Sequence, residues 1–226
     1  MLNGKTIKIN ELTCKQKEKM YYIMTKYYAN ITEANFYSDL FEKIEVVLLC
    51  DENDTIQGFT TLTIFPYDEH TQLLFSGDTI IEKKYWGKND LMPAWLNNAM
   101  SHAEKFDGKT YWFLLTKGYK TYKFLHTFFH KFYPCVDEET PHDIQAIIDK
   151  FATKRFGDKY QNGVYAEEKD FLKEEFAEIH ETKIKNRHTA FFLEKNPDYK
   201  NGTELVCLTE LSLDNLNKLG LKLLAE

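Results

Sequence analysis

Residues Leu73 to Phe106 read LLFSGDTIIEKKYWGKNDLMPAWLNNAMSHAEKF: an apolar run, a loop containing Gly87, then a helical pattern. In the run, Leu73, Phe75, Gly77, Thr79 and Ile81 alternate with Leu74, Ser76, Asp78 and Ile80. Apolar residues on both faces, with polar interruptions, predict a central strand and not an edge. Beyond the loop, Met92, Trp95, Leu96, Ala99 and Ala103 recur at helical spacing and draw one apolar stripe. Pro93 has no N–H to lose and fits the first helical turn. The free amides of that turn face Trp86-Gly87-Lys88-Asn89-Asp90, and a helix N-terminus behind a glycine-bearing turn is a natural anion site. Lys88 adds positive charge to it; Asp90 subtracts some.

On the N-terminal side, Thr6–Leu12 alternates as a first strand. Met20, Ile23, Met24, Tyr27 and Tyr28 mark an amphipathic helix, and a second helix from about Glu33 has Phe36, Leu40, Phe41 and Ile44 inward. Glu45–Cys50 and Phe59–Phe65 flank the turn Asp51-Glu-Asn-Asp54 and predict an antiparallel hairpin, with the opening stretch pairing after it. On the C-terminal side, Tyr111–Thr116 reads as a buried strand and Thr121–Phe132 as a helix stopped by Pro134. Asp143–Phe156 is a further helix, Val164-Tyr165 the start of a short strand, and Glu167–Lys185 a charged, solvent-facing helix with a Glu181/Lys185 pair. Ala190–Leu193 and Glu204–Leu208 predict a closing hairpin, and a short helix from about Leu213 ends the chain.

With 226 residues, 43% hydrophobic and 28% charged, the chain is globular and long enough for a sizeable core. A formal net charge of −6 argues against a nucleic-acid partner, whose phosphates require a basic surface. No stretch approaches the roughly 18 apolar residues of a membrane span, and residues 1–20 carry no signal-peptide region. The expectation is a cytoplasmic protein with no membrane partner. Cys14, Cys50, Cys135 and Cys207 are widely spaced, without zinc or redox patterns, and are expected to be reduced thiols. Aromatic residues make up 15%, to fill a core or to line a pocket for an acyl chain or ring.

The strand, glycine loop and helix, with the order β, α, α, β, β, β, α, β, α up to Cys135, resemble the GCN5-related N-acetyltransferase (GNAT) superfamily, as a divergent member. That family's loop carries Q/R-x-x-G-x-G/A; here the aligned residues are Lys84, Gly87 and Asn89, of which only the glycine matches. The resemblance implies an α/β (α+β) fold, with a mixed, mostly antiparallel sheet that splays after its fourth strand. It implies one domain: a core at about 5–135 plus 189–210, a helical insertion at about 136–188 and a C-terminal helix at about 212–225. The activity implied is transfer of an acyl group from acetyl-CoA or another acyl-CoA to a small-molecule amine, with no metal. A GNAT-like, non-catalytic binding domain is the alternative, and a homodimer is left open. Backbone groups of Thr79, Ile80 and Ile81 would meet the pantetheine arm, and the amides of Gly87, Lys88, Asn89, Asp90 and Leu91 the pyrophosphate. A tyrosine of the last core helix, Tyr119 or the better placed Tyr122, would protonate the thiolate.

From the residues alone, Asp78 in mid-strand either bonds neighbouring backbone amides or handles the amine's proton, and Gly77 beside it permits a close approach. His126 and His130 have metal-compatible spacing but lack an H-E-x-x-H pattern and read as surface histidines. No motif ties Cys135 to a base.

Overall fold

The computed structural model describes residues 2–88, 90–166, 171–179 and 181–224, with Glu181 described by its backbone alone. The expected pairings of the N-terminal half are present. Strand β1 (Asn3–Lys8) leads through helix α1 (Cys14–Tyr27), the short strand β2 (Tyr28–Ala29) and α2 (Glu33–Phe41) into three longer strands. These are β3 (Glu45–Cys50), β4 (Ile56–Pro66) and β5 (Thr71–Ile81). Helix α1 starts at a capping box, in which Thr13 and Gln16 satisfy each other's amides. Asp51 accepts from the amides of Asn53 and Thr55, and the turn it shapes joins β3 to β4. Helix α3 (Leu91–Glu104), β6 (Lys109–Thr116) and α4 (Tyr119–Phe128) follow, then α5 (His142–Phe156). The remainder comprises β7 (Tyr160–Gln161), β8 (Val164–Ala166), β9 (Phe171–Leu172), α6 (Glu174–Ala177), α7 (Glu181–Ile184), α8 (Arg187–Lys195), β10 (Thr203–Glu210) and α9 (Lys218–Leu224).

Eight of the described strands form one sheet, in the order β1-β3-β4-β5-β6-β10-β8-β7. Every neighbouring pair is antiparallel except β5 and β6, which run parallel across the helical crossover α3. One face packs under α3, α4 and α9, where Trp95, Leu96, Trp112, Leu125 and Cys207 are buried. The other face is covered by α1 and α2 at the β3–β4 side and by α5 at the β6–β10 side. This is the mixed, mostly antiparallel sheet flanked by helices that the sequence led one to expect. A second, two-stranded pairing joins β2 to β9 and straps residues 171–177 to the end of α1. Lys173 reinforces it, donating its amide to the Tyr27 carbonyl and its ammonium to the Thr25 carbonyl.

Several sequence expectations are corrected. Ala190–Leu193 is helical: Asn186 caps α8 by accepting from the amides of His188 and Thr189, and Thr189 and Phe192 face inward three residues apart. The antiparallel partners of β10 are therefore β6 and β8. Among the described residues, 171–184 contain a short strand and two four-residue helices where one long helix was expected. The Glu181/Lys185 pair falls outside the described side chains. Helix α4 ends at Phe128, because Phe129 and Tyr133 bridge to Leu216 and Leu208. Phe41 and Ile44, expected inward, are exposed.

Candidate functional site

The site begins where the sheet parts. β5 and β6 pair from Thr71↔Lys109 to Ser76↔Leu114 and no further. Above that point β5 stays on β4, with Thr79↔Thr60, Ile80↔Phe59 and Ile81↔Gly58, while β6 stays on β10. The two strands diverge around a cavity of about 1160 Å³. Beyond Ser76 the β6-facing edge of β5 is not paired with β6, so backbone at residues 79–81 is placed to bond a ligand as a strand would.

A bulge shapes one wall. Thr60 pairs with Thr79 but Leu62 with Ser76, so two steps of β4 oppose three of β5. The same irregularity lets Phe75 and Ile80 share a face although they are five residues apart. Phe75 packs on Phe65, Ile80 joins the cluster of Phe59, and Phe59 and Phe65 lie an even number of residues apart. The extra residue falls at Gly77-Asp78, and both line the cavity with Asp78 half-buried. Lys43, 5% exposed, crosses this point: a Cβ on Gly77 would lie 2.6 Å from its Cε and 2.6 Å from Thr61 Oγ1. Sequence reasoning anticipated a close approach at Gly77 but missed the lysine, because Lys43 sits just past α2 with no pattern to mark it as buried.

The opposite end of the cavity is the glycine loop. Gly87 has φ +83°, which favours glycine, and nothing lies within 4 Å of a Cβ there, so the loop is open to a ligand. Gly87, Lys88 and Leu91 line the cavity, as do Thr79, Ile80 and Ile81. Asp90 is not among the lining residues; its carboxylate accepts from the Leu2 amide at 3.1 Å. Asn89 lies outside the described residues. Trp86 donates its indole N–H to the Ile81 carbonyl and carries the Lys120 ammonium 3.8 Å from its ring centroid. Burial and the neighbouring Lys83 lower the Lys120 pKa. Lys88, Lys120 and Lys123 thus give an acidic chain a cationic cavity end, well suited to a phosphorylated ligand. The lysine-and-aromatic runs at 83–88 and 117–120 were the signal that could have found it.

The structure does not bring Tyr122 to this cavity. It is 1% exposed, packs against Phe132 and Phe192, and donates its hydroxyl to the Pro134 carbonyl at 2.9 Å. Tyr119, one turn earlier, does line the cavity, and burial raises its pKa, so the phenol holds its proton at neutral pH. Tyr27 anchors the floor: its hydroxyl donates to Glu82 and accepts from the Lys83 amide, and burial pushes its pKa up to about 12. His126 is not the surface residue expected: it stacks on His188 with ring centroids 4.0 Å apart. Among the described residues no group of three or more His, Cys, Asp or Glu is placed to hold a metal. No described helix is long and apolar enough to cross a membrane.

No family model and no curated protein matches the sequence. Similar solved structures include a GNAT family N-acetyltransferase from Escherichia coli in complex with CoA, at 13% identity and a TM-score of 0.42, over 55% of this chain and 68% of that one. The catalytic domain of a Tetrahymena GCN5 histone acetyltransferase in complex with coenzyme A is 10% identical with a TM-score of 0.42, over 63% and 82% of the two chains. An acyl-CoA N-acyltransferase from Pseudomonas aeruginosa is 13% identical with a TM-score of 0.42, over 61% and 92%.

Proposed function

We propose that this GNAT-type fold is an acyl-CoA-dependent acyltransferase, moving an acyl group from the coenzyme A thioester to an amine. The observation that carries the reading is the parting of β5 from β6 directly above an open glycine loop at a helix N-terminus. Bound there, coenzyme A would supply an acyl group activated as a thioester. Backbone of residues 79–81 turned away from β4 would hold the pantetheine arm in extended form, and the amides around Gly87, with Lys88 and Lys120, would receive the phosphates. Asp78 would take the proton of the attacking amine as the C–N bond forms, directly or through one water. As the C–S bond breaks, Tyr119 would give its proton to the sulfur, in the role the resemblance had suggested for Tyr122. Most of the acceleration would come from holding amine and carbonyl together in a site screened from water.

Calorimetric titration with acetyl-CoA, and in parallel with a longer acyl-CoA, tests the reading. Saturable binding is expected for the wild-type chain and its loss in Gly87→Trp, which fills the open side of the loop. Absence of binding at millimolar ligand, or full affinity in a folded Gly87→Trp variant, rules it out.

A further inference from the structure

Asp90 does not do what its place in the sequence suggests, and the first strand is the cause. It stands at the N-cap of α3, where a carboxylate ordinarily accepts from the second or third amide of the helix. Among the described residues its side chain makes no capping bond. Pro93, the third helical residue, has no N–H to offer, and the Leu2 amide draws the carboxylate off instead, at 3.1 Å. Leu2 is poorly placed to give way. Its side chain is 6% exposed, in one buried cluster with Leu91, Met92 and Trp95. Two residues on, Gly4 lies so close to α3 that a Cβ there would stand 2.2 Å from the Ala94 Cβ. Strand β1, paired in the sheet with β3, is thus keyed into the first turn of α3. The cavity registers the result: Lys88 and Leu91, on either side, line it and Asp90 does not.

We infer that the Leu2–Asp90 bond is a latch that keeps the phosphate cradle open, with Leu2 and Asp90 as positioning residues for the donor. This rests on the acyltransferase reading and adds to it a part for β1. The first amides of α3, from Leu91, Met92 and Ala94, carry the positive end of the helix dipole. A carboxylate at the N-cap competes for them with any phosphate and repels it besides. Held by Leu2, the Asp90 charge is turned from the cavity; released, it can swing toward the Met92 amide and close the cradle. The latch lets a glycine loop with an acid beside it receive an anion.

The test is a double-mutant cycle read by calorimetric titration with acetyl-CoA and, separately, with inorganic pyrophosphate. Leu2→Pro removes the amide hydrogen, Asp90→Ala removes the carboxylate, and the double variant removes both. Leu2→Pro is expected to weaken binding of both probes by about three- to tenfold, the range for a charge at a helix terminus. Asp90→Ala should bind them at least as tightly as the wild-type chain. The double variant should match Asp90→Ala, because the lost amide matters only while there is a carboxylate to hold. A merely structural Leu2 would weaken binding equally in both backgrounds. Melting temperature identifies any unfolded variant; Gly4→Ala, which crowds Ala94 and shifts β1, then replaces Leu2→Pro in the cycle. Unchanged affinity in a folded Leu2→Pro, a double variant as weak as Leu2→Pro, or weaker binding in Asp90→Ala overturns the latch. Binding of neither probe to the wild-type chain overturns it together with the transferase reading. Pyrophosphate bound in the expected pattern, without acetyl-CoA, would sink the transferase reading alone and leave the latch standing.

Discussion

Gly77 and Tyr122 show how differently two single residues can be read. At Gly77 a methyl group would stand 2.6 Å from Lys43 Cε and from Thr61 Oγ1, so Gly77→Ala should lower stability by about 1–3 kcal/mol in denaturant unfolding. Tyr122→Phe leaves the buried Pro134 carbonyl without its donor and should cost about 1–3 kcal/mol while leaving turnover intact. Tyr119→Phe should do the reverse, slowing turnover with little change in melting temperature. Asp78→Asn should reduce kcat/KM by about 10²–10⁴, with acetyl-CoA affinity retained. In the sequence, Asp78 and Gly77 stood out because both are unusual in mid-strand. Tyr119 and Tyr122 could not be separated there, since choosing between them needs the angle at which α4 leaves β6. Lys43 was illegible for a related reason: nothing local reveals that a lysine past the end of a helix will be covered by the distant strand bulge at Gly77-Asp78.

At the scale of elements, the contact between α4 and α8 carries a titration. His126 is held down to about 4 by burial, with the stacked His188 and Lys123 adding to the effect, and His188 is lowered by burial and by Arg187, against an opposing pull from Asp137. Both rings are neutral in the folded chain at pH 7. The unfolded chain binds protons near pH 6.5 and the folded one resists them. Stability contributed by the pair is therefore complete above about pH 6.5 and is lost as pH falls toward 4. Melting temperature should drop across that window, and the drop should be smaller in His126→Phe. Helix α8 itself shows why the neighbouring elements were misread. Ala190-Phe-Phe-Leu193 is a short apolar run, compatible with a strand or with a helix that is buried on one side, and periodicity alone does not choose. The Asn186 cap was present in the sequence, yet a cap decides only once the following residues are known to have a helical neighbour to pack on. The hairpin β3–β4 and helix α3, by contrast, were plain, because turn chemistry and a long apolar stripe are local signals.

For the molecule as a whole, charge is unevenly placed. A chain of net charge −6 lines its cavity with Lys88, Lys120 and Lys123 among other cations, so acyl-CoA binding should weaken as salt screens them, while overall stability changes little. The three buried clusters on the two sheet faces explain why the fold tolerates a sheet parted at its centre: each half has its own cover of helices. The strap formed by β2 and β9 spans the gap between them. Phe176 packs tilted against Tyr27 and edge-on against Trp86 at one wall, and Leu172 reaches within 3.8 Å of a Cβ position on Gly118 at the other. A strap held at both walls roofs the cavity between them. Under the proposed transfer, a donor lying along β5 and an acceptor beside Asp78 would share the room beneath this roof, so neither need depart before the other arrives. Initial-rate plots against the two substrates should therefore intersect and not run parallel, with both molecules on the protein when the bond is made.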